Sequence, residues 1–262
     1  MPDDELLQRA LAFQLGISER ESTRTEPFRW GTAYFNDDVP ASYDHNFLDV
    51  EMAVPGVAPE EILAEADRMQ GDVGLTHREM RLLSYEDGER MAPAFRGPGW
   101  RVERNLYMAM LAEPEDAPDT SAVRAATWEQ TRPAVEITTR RAPYATSDAV
   151  ARQLIDRALI TMGAIDTRFL VSEIDGQVAS YCHLYSDGSA AQVEDVNTLD
   201  EYRGRGLAQA TVWAAVELAR SEDHDFIWLI ADEDDWPQHL YRKLGFRDIG
   251  RTIWFVRAGT HE

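Results

Sequence analysis

The chain has a single cysteine, Cys182, among 262 residues. No intrachain disulfide is possible, and a reducing cytoplasm is the natural compartment. Cys182 lies in the strand-like run VASYCHLY with no basic neighbour in sequence, so it reads as a buried structural thiol rather than a nucleophile. Long hydrophobic runs are also missing. FIWLIA, Phe226–Ala231, is far too short for a membrane span, and the acidic start MPDDELLQ has no basic-then-apolar leader pattern. No membrane partner is expected. Basic residues are scarce, 26 Lys and Arg against 47 Asp and Glu, for a formal charge of −21. A phosphate backbone needs a basic face, so nucleic acid is disfavoured. The acidity suits a soluble or salt-adapted surface, or a cationic or neutral partner. The histidines, at positions 45, 77, 183, 224, 239 and 261, form no metal-ligand spacing, and no metal is expected. His183 reads as a hydrogen-bonded sheet residue.

What is present is core-forming. Hydrophobic residues make up 44%, with seven Trp and nine Phe, which argues against disorder. The length allows one large domain or two small ones. Asp4–Leu15 has apolar residues at helical spacing, and ISERESTRTEP reads as a polar connector. WGTAYFN and Asn46–Val54 read as strands. Ala58–Met69 reads as a helix, with Pro59 near its start and Glu60 and Glu61 in its first turn. REMRLLS is a strand, EDGERMAPAFRGPGW a short broken helix, and VERNLYMAML a strand. The Pro- and acid-rich stretch AEPEDAPDTSA lacks any apolar period, so 113–133 is the expected linker between a domain at 1–112 and one at 134–262.

In the second domain AVEITT reads as a strand and Ser147–Met162 as an amphipathic helix capped by Ser147. Three strands follow, joined by turns at Asp175-Gly176 and Asp187-Gly188. A helix from about Leu207 to Arg220, the strand FIWLIA, the short helix PQHLYRKL and the strand TIWFVR complete it. The expected class is α/β: a mixed sheet with helices on both faces.

One stretch is out of character. Arg203-Gly204-Arg205-Gly206 sits between a strand and a helix in this acidic chain. The first backbone N–H groups of a helix have no internal partner, and the macrodipole adds partial positive charge there. Glycines let backbone approach a ligand, and arginines add charge-assisted bonds, so the turn suits a phosphate or pyrophosphate. Two solvated arginines on a surface turn would read the same way.

The turn, in its strand–turn–helix context and followed by LYRKLGF, resembles the GNAT superfamily of N-acetyltransferases. That family's pyrophosphate motif falls on Arg203, Gly206 and Ala208, and its later Tyr and Gly-Phe on Tyr241, Gly245 and Phe246. Its strand before the turn falls on VEDVNTL. The resemblance covers roughly Val135 to Arg257 and implies the GNAT acyl-CoA N-acyltransferase fold, with acetyl-CoA as co-substrate and an amine of a small molecule or peptide as acceptor. It also implies that backbone groups of Val196, Asn197 and Thr198 pair with the pantetheine arm and polarise the thioester. The N–H groups of Gly204, Arg205, Gly206, Leu207, Ala208 and Gln209 would hold the pyrophosphate. An acceptor amine is mostly protonated at neutral pH, so a base is needed. Glu194 is the candidate, with Asp195, on the opposite face by strand alternation, second; a solvated strand-end carboxylate is the other reading of Glu194. Tyr241 is the family's general acid for the leaving thiolate, or otherwise a core aromatic. One departure is Asp234, where the family often has a cofactor-contacting Asn; an anion there suits a cap on the following helix.

The first half echoes the second. With Gly99-Trp100 set against Gly245-Phe246, Phe95 falls on Tyr241, and VPGVAPEE falls on LDEYRGRG without its arginines. A tandem GNAT with a degenerate N-terminal half is therefore expected. Mycothiol synthases are tandem GNAT proteins, which makes their activity a candidate, although no residue selects it. A catalytically silent acyl-CoA-binding sensor is the alternative from another class. The acceptor and the oligomeric state are not legible.

Overall fold

The structure, a computed structural model, describes residues 2–259; His261 lies outside them. The chain opens with α1 (Asp3–Glu21), β1 (Arg24–Phe28), β2 (Gly31–Phe35) and β3 (Phe47–Val50). It continues through α2 (Pro59–Asp72), β4 (Arg78–Leu82), α3 (Tyr85–Met91) and β5 (Trp100–Met110). After a connection come β6 (Val123–Ala126), α4 (Trp128–Arg141), α5 (Asp148–Ala164), β7 (Asp166–Ile174), β8 (Gln177–Ser186) and β9 (Ala190–Thr198). The last elements are α6 (Leu207–Ser221), β10 (Phe226–Asp232), α7 (Pro237–Lys243) and β11 (Phe246–Arg257).

All eleven strands form one mixed sheet, in the order β1-β2-β3-β4-β11-β5-β10-β9-β8-β7-β6. The expected mixed α/β class, with helices on both faces, is what forms. Alternation sorts the faces. In β8, Tyr181 packs with Val171 and Ala134 of α4, whereas Cys182 and Leu184 pack with Val212, Ala215 and Val216 of α6. Helices α2, α3, α6 and α7 cover one face. Helices α1, α4 and α5 cover the other, where Trp228, fully buried, meets Phe13 edge to face with ring centroids 5.6 Å apart.

The two halves repeat one order. Helix α1 with β1-β2-β3-α2-β4-α3-β5 matches α5 with β7-β8-β9-α6-β10-α7-β11. Strands β3 and β4 pair in parallel, as do β9 and β10. The final strands cross over. β11 pairs with β4, β5 pairs with β10, and β5 and β11 pair along their whole lengths, all antiparallel. The sheet therefore does not divide at residue 112.

Three local readings change. AVEITT, expected as a strand, lies inside α4. Thr127 and Gln130 form a capping box ahead of Pro133, and Trp128, Thr131 and Ala134 form the buried stripe. Cap and burial together outweigh the proline and the β-branched residues. The expected linker 113–133 holds β6 and the start of α4. The polar connector contains the last turn of α1 and strand β1, because Ile17 completes the buried stripe of α1.

Candidate functional site

The site begins where two parallel strands separate. β9 and β10 are in register only at Ala190–Phe226, Ala191–Ile227 and Gln192–Trp228. Both strands then continue unpaired with each other. Val193–Asn197 and Ile230–Asp232, with Pro237 and Tyr241, line a cleft of about 240 Å³ between them. Beyond the splay, the backbone edge of β9 is open to a ligand.

β8 supplies the other side of β9. Counting down from the turn at Asp187, Leu184 faces Val193 and His183 faces Glu194; the register then slips, so that Tyr181 faces Asn197. The slip is a bulge at Asp195, whose φ is +50°. It re-aims Asp195. Simple alternation puts Glu194 and Asp195 on opposite faces, but both line the same cleft and the same larger cavity.

The electrostatics of this pair follow from burial. Burial, and then the charge of Asp195, push the Glu194 carboxyl up to about 8. Glu194 accepts from Gln192 Nε2 at 2.9 Å and from the Asp195 N–H at 3.2 Å. Asp195 is half-buried, and His183 Nδ1 lies 3.1 Å from its Oδ2. The bond from His183 and the charges of His183 and Arg157 outweigh burial and hold Asp195 well below the usual carboxylate range. Two adjacent carboxyls thus differ in state: Asp195 is held ionised, and Glu194 is raised toward neutral pH.

Tyr241 sits on α7, 7% exposed, with its ring edge toward Phe246. Burial, and then the charge of Glu194, raise its phenol far above the ordinary range, so the hydroxyl stays protonated as a donor. Cys182 is fully buried, its Sγ directed at Thr211 O at 3.6 Å, and burial raises its thiol strongly.

The basic turn forms the N-terminus of α6. Gly204 and Gly206 adopt φ of +76° and +77°, and no atom lies within 4 Å of where a Cβ would stand at either. The helix has no side-chain cap. These features fit a polyphosphate approaching backbone N–H groups. Gly204, Arg205 and Gly206 are exposed, and Leu207, Ala208 and Gln209 are half-buried. Arg203 pairs with Asp200 at 2.9 Å, and Arg205 lies over the Tyr202 ring. Glu194, Val196, Asn197 and Tyr241 therefore meet in the cleft, whereas Thr198 and Arg203 line the larger cavity and 204–209 follow them in the chain as the start of α6, outside the lining of either. Asp234 does not cap α7: its carboxylate lies 3.5 Å from Arg104, and the helix starts at Pro237 after an uncapped Trp236.

A larger cavity of about 610 Å³ opens on the α1–α4–α5 face and shares Glu194, Asp195 and Asn197 with the cleft. Its walls come from both halves, including Glu21, Asp44, His45, Arg81 and Asn105 from the first. None of these was found in the sequence, because nothing local marks them. His183 was legible in principle, since the hairpin register from Asp187 places it across from Glu194.

The fold extends over the whole chain in solved structures. A GCN5-related N-acetyltransferase from Kribbella flavida superposes with a TM-score of 0.58 at 19% identity, covering 97% of this chain and 96% of that one. A conserved protein of unknown function from Staphylococcus epidermidis reaches 0.70 at 12% identity, covering 90% and 94%. Residues 131–246 match the acetyltransferase (GNAT) family, and this part of the chain is a GNAT acetyltransferase domain. A putative [ribosomal protein bS18]-alanine N-acetyltransferase of Bacillus subtilis is 34% identical over 83 residues, 31% of this chain and 55% of that one. A mycothiol acetyltransferase of Clavibacter sepedonicus is 31% identical over 90 residues, 34% of this chain and 30% of that one. The chain thus matches about half the length of the first relative and about a third of the second.

Proposed function

We propose that the chain is an acetyl-CoA-dependent N-acetyltransferase with one active site, in its C-terminal half. The observation that carries the reading is the splayed β9–β10 cleft, which joins an ionisable Glu194 and a protonated Tyr241, with an uncapped glycine turn following β9 in the chain. The turn from Arg203 to Gln209 holds the pyrophosphate, and the open backbone of Val196–Thr198 holds the pantetheine arm and polarises the thioester carbonyl. Acetyl-CoA supplies an activated acetyl group.

The acceptor arrives from the larger cavity as an ammonium. Glu194, directly or through a water, takes one proton, and the freed nitrogen lone pair attacks the carbonyl carbon. The developing oxyanion is met by backbone N–H groups of β9. The C–N bond forms and the C–S bond breaks. Tyr241 donates its proton to the leaving thiolate, and the nitrogen loses its second proton on becoming an amide. The net products are the acetylated amine, free CoA thiol and one proton. Asp195, held by His183, keeps a fixed negative charge beside the entering ammonium.

The N-terminal half is read as a degenerate copy, with no basic turn and Phe95 where the other half has Tyr241. Like Tyr241, Phe95 lies just before a glycine with positive φ, and it stacks on Phe255. The test is release of CoA thiol from acetyl-CoA in the presence of an amine library. Turnover with any amine that Tyr241→Phe abolishes supports the reading. Tight acetyl-CoA binding without turnover on any amine supports a silent acyl-CoA sensor instead.

A further inference from the structure

The walls of the larger cavity restrict what an acceptor can carry besides its reacting amine. Four arginines line it, and carboxylates already hold all four. Arg81 pairs with Glu79 at 2.6 Å and with Asp44 at 3.3 Å, and Arg157 pairs with Asp44. Arg141 lies 3.1 Å from Glu201 and 3.5 Å from Asp200, which also takes Arg203. An acceptor carboxylate or phosphate would have to displace one of these partners.

Carboxylates are in the opposite position. Glu21, at the end of α1 and on the cavity wall, has a side chain only 10% exposed and pairs with no guanidinium among the described ion pairs. The Thr161 hydroxyl donates to it. A carboxylate offers about four acceptor positions, so capacity remains. Beside it, His45 is 6% exposed, and its Nε2 is buried with no hydrogen-bond partner. That nitrogen is 3.7 Å from Glu21 Oε1, while Nδ1 meets Ser42 Oγ at 2.9 Å. With the ring proton on Nδ1, Nε2 and Oε1 are two adjacent acceptors, an arrangement that a cationic N–H donor would bridge. Tyr144, Tyr181 and Tyr185 line the same cavity, and an aromatic wall accommodates a cation.

Resting on the acetyltransferase reading, we infer that the acceptor is a small molecule with two amino groups, one reacting at Glu194 and Asp195 and the other held as an ammonium by Glu21 and His45. The first half of the chain thereby selects the substrate on which the second half acts.

The experiment uses three five-carbon amines that differ only at the far end: cadaverine with an ammonium, n-pentylamine with a methyl, and δ-aminovalerate with a carboxylate. CoA release and calorimetric binding are both measured on the full chain. The expected order of kcat/KM is cadaverine, pentylamine, aminovalerate, with cadaverine ahead of pentylamine by about tenfold or more. Glu21→Gln should close most of that gap. Equal turnover of all three, or a preference for aminovalerate, overturns the inference and leaves the acetyltransferase reading intact. Calorimetric binding of cadaverine that Glu21→Gln weakens, without CoA release from cadaverine or from any amine of the library, sustains the cation site and refutes the acetyltransferase reading. Neither binding nor turnover of cadaverine refutes the site. The three-amine comparison on the unaltered chain stands even if Glu21→Gln does not fold.

Discussion

Glu194→Gln tests the proposed base through both activity and stability. Burial and Asp195 move this carboxyl from 4.5 to about 8. At ~1.4 kcal/mol per pH unit, the gap of about 3.5 places an upper bound of roughly 5 kcal/mol on the penalty for ionising it in the fold. Relaxation around the carboxylate lowers the measurable effect to ~1–3 kcal/mol. The sign follows from the direction of the shift. The folded value lies above the unfolded one, so the protonated group's contribution is fully present below about 4.5 and is lost as pH rises through about 8. Glutamine mimics the protonated form at every pH. The variant should match the parent near pH ~5 and exceed it near pH ~9, by ~2–12 °C in Tm at ~2–4 °C per kcal/mol. Activity moves the other way. The parent's kcat/KM should climb with pH to a plateau above about 8, and the variant should lose that limb with ~10²–10⁴ of kcat, the usual range for a general base. Two assays suffice: thermal melts at both pH values and a pH–rate profile with the best amine. A Tm difference that does not grow with pH would refute the electrostatic argument. A variant with kcat within about twofold of the parent would refute the role as base.

Three further outcomes are expected. Tyr241→Phe should lower kcat by ~10²–10⁴ with little change in Tm or acetyl-CoA affinity, because only the hydroxyl is lost; steady-state kinetics and melts check both halves of that statement. Arg203→Ala should raise KM for acetyl-CoA several-fold, about threefold to tenfold, while kcat changes less, since it removes ground-state phosphate binding; an unchanged KM would count against the anion turn. Gly245→Ala should destabilise the fold by ~2–5 kcal/mol, read from denaturant midpoints, because φ is +99° and a Cβ would stand 1.9 Å from Ala112 O.

The parts of the site that were legible are those encoded over short spans. The turn from Arg203 to Gly206 reads as an anion cradle because positive φ and helix start are local requirements that glycine and the α6 pattern declare. The Asp187-Gly188 turn gives the β8–β9 hairpin and, with it, the neighbours of Glu194. Asp195 shows where local reading stops. A bulge shifts alternation by one residue, and no sequence signal marks the slip at Tyr181 and His183. AVEITT failed for a related reason: its helix is set by the Thr127 cap upstream and by Val171 and Tyr181 on distant strands. The cavity wall is the extreme case, since Glu21 and Glu194 meet only through the final topology.

That topology ties the N-terminal half to the walls of the cleft and the cavity. After β3 the chain has no arginine turn, and side chains of α3 fill the corresponding place. Asp87 Oδ2 accepts from the Val54 N–H at 2.8 Å, and Arg90 donates to Val54 O at 2.7 Å and to Val57 O at 3.0 Å. The backbone N–H and carbonyl of Val54 and the carbonyl of Val57 are thereby taken up within the first half. The same half inserts β5 between β10 and β11, so β10 has a partner on the side away from the splay. The first half also sets α1 and the turn at Tyr43–His45 in the cavity wall. In this arrangement the first half pairs with β10 on the side away from β9, and it supplies the far wall of the larger cavity.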